Sequence, residues 1–544
     1  MISGHSCLPF LNVIPQKVQP RKSPFSNHNK GSRQTVHFLS VPRGRCYYKN
    51  EESSAEDTQL ATVKQLPNRC ETGRGLGIID FYKEKTLLII GATGFVGKAL
   101  LEKILRTVPH VKKIYLLINA DTTELALERF HKEIIGADLF SSLRESHGAS
   151  FDDFIAKKVI PFNGNVTKPD LGIDCSIAGE IVDEVDLIVN TAATTTFDER
   201  YDNAFKINTR GPSNILAFAK GCPKLMLYTH FSTAYVNGSE QGIITENPLS
   251  LTNGNVLRFI NQEKEIIESM KAQSDQKELA TNMKKLGLER AKENGSQDTY
   301  SITKIMGEML LHELRGNTPL VIIRPSIIES CLKEPFPGWI EKNRMMDPII
   351  ANYGKGTSSG FVGDPEVIVD IVPLDMVVNG ALAAIAKHGS EQKPETNVYH
   401  MASSVMNPLT FQQFADVVCE SFQTNPHINK DGNSVTVRKY EFFASAADFV
   451  KQNEAPQTNG VLPKRTEIIN RKFAEMQQSF AETYEPYMLF NGRFDNSNTK
   501  SLWQKMSDTE RKEFGFDVKM INWQDYFKNI HIPGLRKHTF KGRL

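Results

Sequence analysis

The stretch TLLIIGATGFVGKALLEKIL, residues 86–105, contains the pattern that decides the fold. Residues 86–90 are a short apolar run of the kind that forms a buried strand, and a helix-like segment begins at residue 98. Gly91, Gly94 and Gly97 separate the two segments with the spacing GxxGxxG. In such a unit the glycines permit a tight turn, close approach of a pyrophosphate, and close packing of helix on strand. Because a helix N-terminus offers free N–H groups to phosphate, the stretch predicts dinucleotide binding rather than an incidental glycine turn.

Further apolar runs follow along the chain, with helix-like segments between them, at residues 113–118, 159–162, 186–190, 225–232 and 319–323. Short apolar strands that alternate with helices are typical of a parallel sheet covered on both faces. The sequence therefore predicts an α/β fold, a Rossmann-type doubly wound parallel sheet with a second, mostly helical C-terminal domain. We expect a disordered leader or transit peptide at 1–75, a Rossmann reductase domain at 80–405 with a helical insertion at 255–295, and a C-terminal domain at 406–544.

The charge of the chain is unevenly distributed. The net charge is +2, and residues 1–50 contain eight Lys and Arg and no Asp or Glu, so the rest of the chain carries about −6. A mildly acidic body does not suggest a nucleic-acid-binding protein. The basic, Ser-rich and Pro-rich start is typical of a transit peptide, and its prolines disfavour the amphipathic helix of a mitochondrial one. We therefore expect the chloroplast stroma, and the alternative is a disordered tail without an address.

The seven cysteines lie far apart and form no CxxC pair. This spacing argues against a disulfide framework or a zinc ribbon, and we expect no metal site. No apolar run approaches the roughly 18 residues that a membrane span needs, so any membrane contact is expected to be peripheral.

The end of the second strand usually distinguishes NAD from NADP. An acidic residue there binds the ribose 2′-hydroxyl, whereas a nearby Arg accepts a 2′-phosphate. This chain has Asn119 at that point, and Asp121 lies slightly too late for the ribose role. The missing acid favours NADPH as the cofactor.

Tyr300 and Lys304 lie one helical turn apart in the segment YSITK. A lysine at this spacing is expected to lower the pKa of the phenol and so to make Tyr300 a general acid or base. Upstream, Ser232 and Thr233 end the fifth strand, where a hydroxyl can bind a substrate carbonyl oxygen. Thr233 is the preferred candidate for this role. The alternatives are a surface Tyr–Lys pair and hydroxyls that only cap the strand.

The motifs IIGATGFVGKALLEKIL, VNTAATTTFDERYD, STAYVNG, YSITKIMGEML, RPSIIES, EPFPGWIE and YEPYMLFNGRFDN together resemble the extended short-chain dehydrogenase/reductases, and most closely the fatty acyl-CoA reductase (male-sterility protein) branch with a plastid leader. The likeness covers roughly residues 80–535. It implies reduction of a long-chain acyl thioester, either acyl-CoA or acyl-carrier protein, to a primary alcohol with NADPH. The rival interpretations are a sugar-nucleotide epimerase or dehydratase and a non-catalytic nucleotide-binding scaffold.

The resemblance also implies roles for individual residues. Tyr300 and Lys304 become the catalytic pair, assisted by Thr233 or Ser232. The implied cofactor-binding residues, besides that pair, are Gly91, Thr93, Gly94, Phe95, Val96, Gly97, Asn119, Asn165, Val166, Asn190, Ala192, Ala193, Pro325, Ser326 and Ile327. The chain departs from the family at Asn119, where Arg is usual, and at Asn165, where Asp is usual. Four aromatic residues are candidates for the wall of an acyl channel, with core packing as the alternative: Phe336, Trp339, Tyr487 and Phe490.

Overall fold

A computed structural model describes residues 38–40, 75–251, 255–453 and 464–540. Apart from residues 38–40 and 75, the predicted leader lies outside the described residues. The strand Phe38–Ser40 pairs antiparallel with Leu249–Leu251. From Val36 onward the described chain forms one compact unit.

A seven-stranded, wholly parallel sheet forms the centre of the fold. Its strands are β1 (Thr86–Ile90), β2 (Lys113–Asn119), β3 (Val159–Gly164), β4 (Leu187–Asn190), β5 (Leu227–Phe231), β6 (Leu320–Pro325) and β7 (Thr396–Met401). Their order, β7-β6-β5-β4-β1-β2-β3, reverses direction at β1. The predicted doubly wound Rossmann-type sheet is confirmed. Six of the strands follow the predicted apolar runs, and the seventh, with the sequence TNVYHM, was missed because polar residues interrupt it.

Helix α1 (Phe95–Thr107) connects β1 to β2 and is buried along nearly its whole length, including three charged side chains. Lys98 is compensated by Glu341 and Lys103 by Glu334, each with a 2.5 Å ion pair. Protein therefore covers α1 on all sides along most of its length. Its partners come from later segments of the chain, so α1 joins the first Rossmann unit to the residues after β6.

Two helices, α2 (Val256–Gln273) and α3 (Leu279–Glu293), occupy the segment predicted as a helical insertion. They pack against α4 (Thr299–Leu314), the helix that carries the Tyr–Lys pair. Glu263 of α2 is buried and accepts a hydrogen bond from the Tyr201 hydroxyl at 2.7 Å. The two insertion helices thus pack against α4 and stabilise its position.

Three long helices follow β6: α5 (Leu374–Glu391), α6 (Phe411–Thr424) and α7 (Lys464–Met488). The C-terminal region is mostly helical, as predicted. Three pairs of short parallel strands lie outside the central sheet: Ile327–Glu329 with Ile371–Pro373, Gly360–Val362 with Glu441–Phe443, and Gly242–Ile244 with Gly492–Phe494. Among the described residues no helix is long and apolar enough to cross a bilayer. The remaining α-helices of at least four residues are Ile78–Tyr82, Thr123–Arg129, Ser141–His147, Phe151–Lys158, Cys175–Glu184, Tyr201–Ala204, Gly211–Ala219, Asp347–Gly354, Ala446–Asn453, Ser497–Gln504 and Asp508–Glu513.

Candidate active site

A cavity of about 680 Å³ opens at the carboxyl ends of β1, β4, β5 and β6. This is the edge of a doubly wound sheet at which ligands bind, next to the point where the strand order reverses. The cavity brings together most of the predicted site residues, namely Thr93, Gly94, Phe95, Val96, Gly97, Ala193, Ser232, Thr233, Tyr300, Lys304, Pro325, Ser326 and Ile327. Residues of α7 and of the segment 341–346 form the opposite wall.

The glycine loop has the geometry that a phosphate cradle requires. Gly91 has φ +90°, and a Cβ there would lie 2.6 Å from the Ala192 amide nitrogen. A Cβ on Gly97 would lie 2.5 Å from the Gly91 carbonyl oxygen. Gly94 caps α1 without a side-chain hydrogen bond, so the first N–H groups of the helix face the cavity side free of a cap. Gly91 and Gly97 therefore shape the turn, and the N-terminus of α1 is suited to bind a pyrophosphate.

Asn190, the last residue of β4, and Ala192, two residues later, are joined by a hydrogen bond at the start of the next loop. Asn190 is buried, and its side-chain oxygen accepts a hydrogen bond from the Ala192 N–H at 3.0 Å. Asn190 and Ala192 therefore hold the loop in place, whereas Ala193 lines the cavity. Asn190 and Ala192 are not among the residues that line the cavity, and the Asn190 side-chain nitrogen lies 3.1 Å from His230 Nδ1 and 3.4 Å from the Tyr228 hydroxyl, so their place on the cofactor path stays a prediction.

Asn208 is a site residue that the sequence analysis missed. It is fully buried, and its amide exchanges hydrogen bonds with the Thr194 backbone, N–H to Oδ1 and Nδ2 to O, both at 3.0 Å. The same Nδ2 donates to Thr303 Oγ1 of α4 at 3.0 Å. Asn208 thus fixes the loop after β4 to the helix of the Tyr–Lys pair. Asn208 lies in the segment INTRGP, residues 207–212, and nothing in the sequence shows which way its amide points.

Helix α4 begins with a capping box at Asp298 and Ser301, which fixes the first turn and with it Tyr300. One turn later, Lys304 is almost completely buried, and its ammonium donates to the Phe231 carbonyl at 2.6 Å. Burial lowers the pKa of Lys304 to about 8, against the opposing charge of Glu308. The lysine is therefore held at the carboxyl end of β5, directed into the cavity wall.

The pKa of the Tyr300 phenol is raised, not lowered as the sequence analysis expected. Loss of water around the hydroxyl is the largest cause, followed by the charge of Asp298, and a hydrogen bond with Thr233 opposes both. The expectation is wrong because burial of the phenol decides the direction of the pKa shift, while the Lys304 ammonium donates to the Phe231 carbonyl. Tyr300 is consequently a protonated phenol at neutral pH, which suits a proton donor.

The two hydroxyls at the end of β5 differ in their surroundings. Thr233 Oγ1 accepts the Tyr235 N–H at 3.3 Å as it caps a short helical turn, and it is hydrogen-bonded with Tyr300. Ser232 Oγ is buried and has no hydrogen-bond partner among the described residues. Thr233 can therefore orient the phenol, while the Ser232 hydroxyl is available to a bound molecule.

The C-terminal region contributes directly to the site through α7. Tyr487 lines the cavity, donates its hydroxyl to Asp298 Oδ2, and stacks on Phe197 with ring centroids 5.2 Å apart. Of the four predicted wall aromatics only Tyr487 lines the cavity. Trp339 stacks on Phe95 in the core, Phe490 packs beside Tyr235, and Phe336 contacts His538.

At the far end of the glycine loop, β2 and β3 finish side by side, with Asn119 paired to Gly164. Asn119 is exposed, and its carbonyl oxygen accepts a hydrogen bond from the Arg129 guanidinium at 2.5 Å. The sequence analysis overlooked Arg129, which lies on the next helix. The side-chain oxygen of Asn165 accepts hydrogen bonds from the N–H and the hydroxyl of Thr167 at 2.9 and 2.8 Å, so both contacts of this oxygen are within its own loop. Val166 lies outside the cavity lining and packs in the core.

Comparison with known proteins adds independent information. Residues 89–381 and 460–542 each match a family profile described as male sterility protein. The chain is 48% identical to the chloroplastic fatty acyl-CoA reductase 2 of Arabidopsis thaliana over 86% of its length and 80% of the relative's. It is 38% identical to the alcohol-forming fatty acyl-CoA reductase of Simmondsia chinensis over 85% of its length and 98% of the relative's.

Two solved structures have the same overall fold. The terminal reductase domain of the myxalamid biosynthetic pathway superposes with a TM-score of 0.56 over 85% of this chain and 92% of that domain, at 16% identity. A reductase domain of a nonribosomal peptide synthetase from Mycobacterium tuberculosis gives a TM-score of 0.52 over 85% and 93%, at 17% identity. At these identities the likeness shows the fold alone.

Proposed function

The chain belongs to the male sterility protein family, and on this premise we propose that it is an alcohol-forming reductase of long-chain acyl thioesters. One observation carries the proposal: a single cavity joins the phosphate-binding glycine loop, the Tyr300–Lys304 pair, and two strand-end hydroxyls. The relatives named fatty acyl-CoA reductases favour this activity over an epimerase or a non-catalytic scaffold.

The residues of the cavity fit a nicotinamide dinucleotide. Gly91 and Gly97 leave no room for a side chain, and the N-terminus of α1 faces the place of the pyrophosphate. A bound dihydronicotinamide supplies a hydride. Overall, one thioester takes up two hydrides and two protons and gives a primary alcohol and a thiol. The carbon–sulfur bond breaks after the first reduction, when the hemithioacetal collapses to an aldehyde.

The chain's own groups perform the proton and charge chemistry in this scheme. Ser232 and Thr233 donate hydrogen bonds to the carbonyl oxygen as negative charge develops on it. Tyr300, which stays protonated at neutral pH, delivers a proton to that oxygen. Lys304 would bind the ribose hydroxyls of a bound nicotinamide cofactor, and its ammonium would balance the charge of the phenolate that remains once Tyr300 has given up its proton. Tyr487 and the α7 wall exclude water from the reacting carbon.

We further propose NADPH rather than NADH as the cofactor. The position that an acidic residue occupies in NAD-specific sites holds Asn119, which cannot repel a 2′-phosphate. Arg129 lies beside it, with its guanidinium bound to the Asn119 carbonyl and to Glu133. Asn119 and Arg129 together provide a neutral amide and a cation at the ribose.

The proposed location is the chloroplast stroma. Its support is the basic, Ser-rich and Pro-rich start of the sequence and the 48% identity to a chloroplastic relative. In that compartment an acyl-carrier-protein thioester is a plausible donor, and acyl-CoA is the donor that the names of the relatives favour.

The decisive experiment incubates the purified chain with NADPH and either palmitoyl-CoA or palmitoyl-acyl-carrier protein, and identifies the products by gas chromatography. We expect hexadecanol with at least one donor. Tyr300→Phe should bind NADPH with unchanged affinity and lose most of its turnover. The absence of fatty alcohol and fatty aldehyde with both donors would overturn the proposed activity, and a fully active Tyr300→Phe would remove the phenol from the mechanism.

A further inference from the structure

Three ionisable side chains from distant parts of the sequence meet in the interior behind the cavity. They are Glu329, which follows β6, Asp347 at the start of the helix Asp347–Gly354, and His531 near the C-terminus, and each is fully buried. His531 Nε2 lies 3.2 Å from Asp347 Oδ1 and 3.9 Å from Glu329 Oε2. One ligand atom from each residue lies within 4.8 Å of the other two.

The outer atoms of the three groups are held by hydrogen bonds. Glu329 Oε1 accepts the Met346 N–H at 3.0 Å, and Asp347 Oδ2 accepts the Arg344 N–H at 2.9 Å. His531 Nδ1 is 3.0 Å from the hydroxyl of Ser330. Metal-binding side chains in proteins are oriented by outer hydrogen bonds of this kind. In each of the three side chains here, the outer hydrogen bond fixes the direction in which the inner oxygen or nitrogen points.

The inner atoms contact one another but have no hydrogen-bond partner outside the cluster. Among the described residues, Glu329 Oε2, Asp347 Oδ1 and His531 Nε2 are each buried with only the other two beside them. Two carboxylate oxygens and one imidazole nitrogen, each able to bind a metal ion, therefore lie close together inside the protein. Polar atoms at such depth are costly unless something binds them.

The two carboxylates also lack a compensating side-chain cation. Among the described residues only His531 forms an ion pair with either of them. Arg344 acts on both through its charge, but its guanidinium lies 3.8 Å above the Phe95 ring and donates to the Glu341 carbonyl. Two buried carboxylates in contact need either a bound cation or a shared proton.

We propose that Glu329, Asp347 and His531 bind one divalent first-row transition ion, Zn²⁺ or Mn²⁺. Two carboxylate oxygens and one imidazole nitrogen are ligands that suit these ions. Ligand bonds of about 2.0–2.2 Å place neighbouring ligand atoms about 3.0–3.5 Å apart, so the 3.2 Å pair already fits and Glu329 needs only a small inward shift.

The position of the site assigns the ion a structural role. Two of the ligand residues come directly after segments that line the cavity: Glu329 after residues 325–328, and Asp347 after residues 341–346. The third, His531, belongs to the C-terminal region. An ion at this point ties the C-terminal region to two segments of the cavity wall. The sequence analysis expected no metal because it considered only the spacing of the cysteines, and Glu329, Asp347 and His531 are far apart in the chain and share no ligand spacing.

The test uses the full chain purified without a histidine tag, stripped with a chelator, reloaded with Zn²⁺ or Mn²⁺, desalted, and measured by mass spectrometry of the metal. We expect about one ion per chain and a higher melting temperature of the loaded protein. Glu329→Gln should bind less than about 0.2 ion per chain and still fold, because its amide can donate to Asp347 in place of a shared proton. His531→Gln should also lose the ion, whereas His388→Gln, a buried histidine outside the cluster, should keep it.

A second measurement does not depend on any variant. In the Mn²⁺-loaded wild-type chain, pulsed electron paramagnetic resonance should detect coupling to one imidazole nitrogen. Uptake by the wild type below about 0.2 ion per chain, or full uptake by Glu329→Gln, would show a shared proton only and overturn the proposal. The result does not depend on the enzymatic activity, so failure here leaves the proposed function intact.

Discussion

The hydroxyl of Tyr487 donates a hydrogen bond to Asp298 Oδ2, and Asp298 caps the helix that carries Tyr300 and Lys304. A residue of the C-terminal helix α7 therefore holds the first turn of α4. Phe197 lies between the two phenols, stacked on Tyr487 at 5.2 Å and 6.2 Å from the Tyr300 ring. Through these contacts the C-terminal region completes the catalytic turn as well as the cavity wall.

Tyr487→Phe should weaken both the fold and the reaction. The ring and its stacking on Phe197 are retained, but a buried carboxylate loses a donor, so we expect a loss of about 1–3 kcal/mol in the free energy of unfolding. Turnover should fall about tenfold, which corresponds to about 1.4 kcal/mol in the barrier, because the Asp298 cap no longer fixes Tyr300. Denaturant melts and steady-state kinetics measure the two effects.

Tyr440→Phe is the matched control for this prediction. Tyr440 is also a buried phenol, but its hydroxyl has no partner among the described residues and it lies outside the cavity lining. Its removal should leave stability unchanged or slightly higher. Equal losses in the two variants would show that the Tyr487 effect comes from the phenol itself and not from its contact with Asp298.

Most of the Rossmann core could be predicted from the sequence because its signals are local. Gly91 and Gly97 stand six positions apart and act on one turn, and each central strand is a continuous apolar run. The contact of Tyr487 with Asp298 joins residues far apart in the chain, so no local pattern indicates it. The hydrogen bond from the Ala192 N–H to Asn190 Oδ1 was not predicted for a related reason, since the type of a residue at a strand end does not say whether its side chain faces a ligand or the core.

Lys304 should give the reaction a break in its pH dependence near pH 8. Burial lowers the pKa of this ammonium to about 8, so the folded protein loses the charge above that pH, and with it the bond to the ribose hydroxyls. Turnover should therefore decline as pH rises from about 7 to 9. Lys304→Arg, which stays charged, should be less active but should lack this decline, and a decline that persists in the arginine variant would assign the break to another group.

The same lysine affects stability with the opposite sign. The pKa of Lys304 is lower in the folded than in the unfolded chain, so the unfolded chain binds more protons between about pH 8 and 10.5. The contribution of this residue to the free energy of unfolding therefore increases as pH rises through that window. Below about pH 8 both states are charged and the full cost of burial remains. Denaturant melts of wild type and Lys304→Met across the window measure this contribution, which should vanish in the variant.

Variants of Thr233 and Ser232 should distinguish two roles, orientation of the Tyr300 phenol by Thr233 and contact with the substrate by Ser232. Thr233→Val removes the hydrogen bond with Tyr300 and the cap on Tyr235, so we expect a loss of about 10- to 100-fold in kcat and a lower melting temperature. Ser232→Ala removes a hydroxyl without a partner among the described residues, so stability should hold while kcat/KM falls about tenfold. An unchanged kcat/KM in Ser232→Ala would show that the serine does not contact the thioester.

We expect Arg129 to be the residue that gives the chain a higher affinity for NADPH than for NADH. Its guanidinium is fixed beside Asn119 by the Asn119 carbonyl and by Glu133, so it can bind a 2′-phosphate with little further ordering. We expect Arg129→Gln to raise the Kd for NADPH about 10- to 100-fold and to leave the Kd for NADH nearly unchanged. Lys132→Gln, an exposed neighbour in the following turn, is the control for a general loss of positive charge. Fluorescence titration of the bound dihydronicotinamide measures the six constants for the three proteins and two cofactors, and a parallel loss for both cofactors in Arg129→Gln would show that Arg129 supports the loop and does not bind the phosphate.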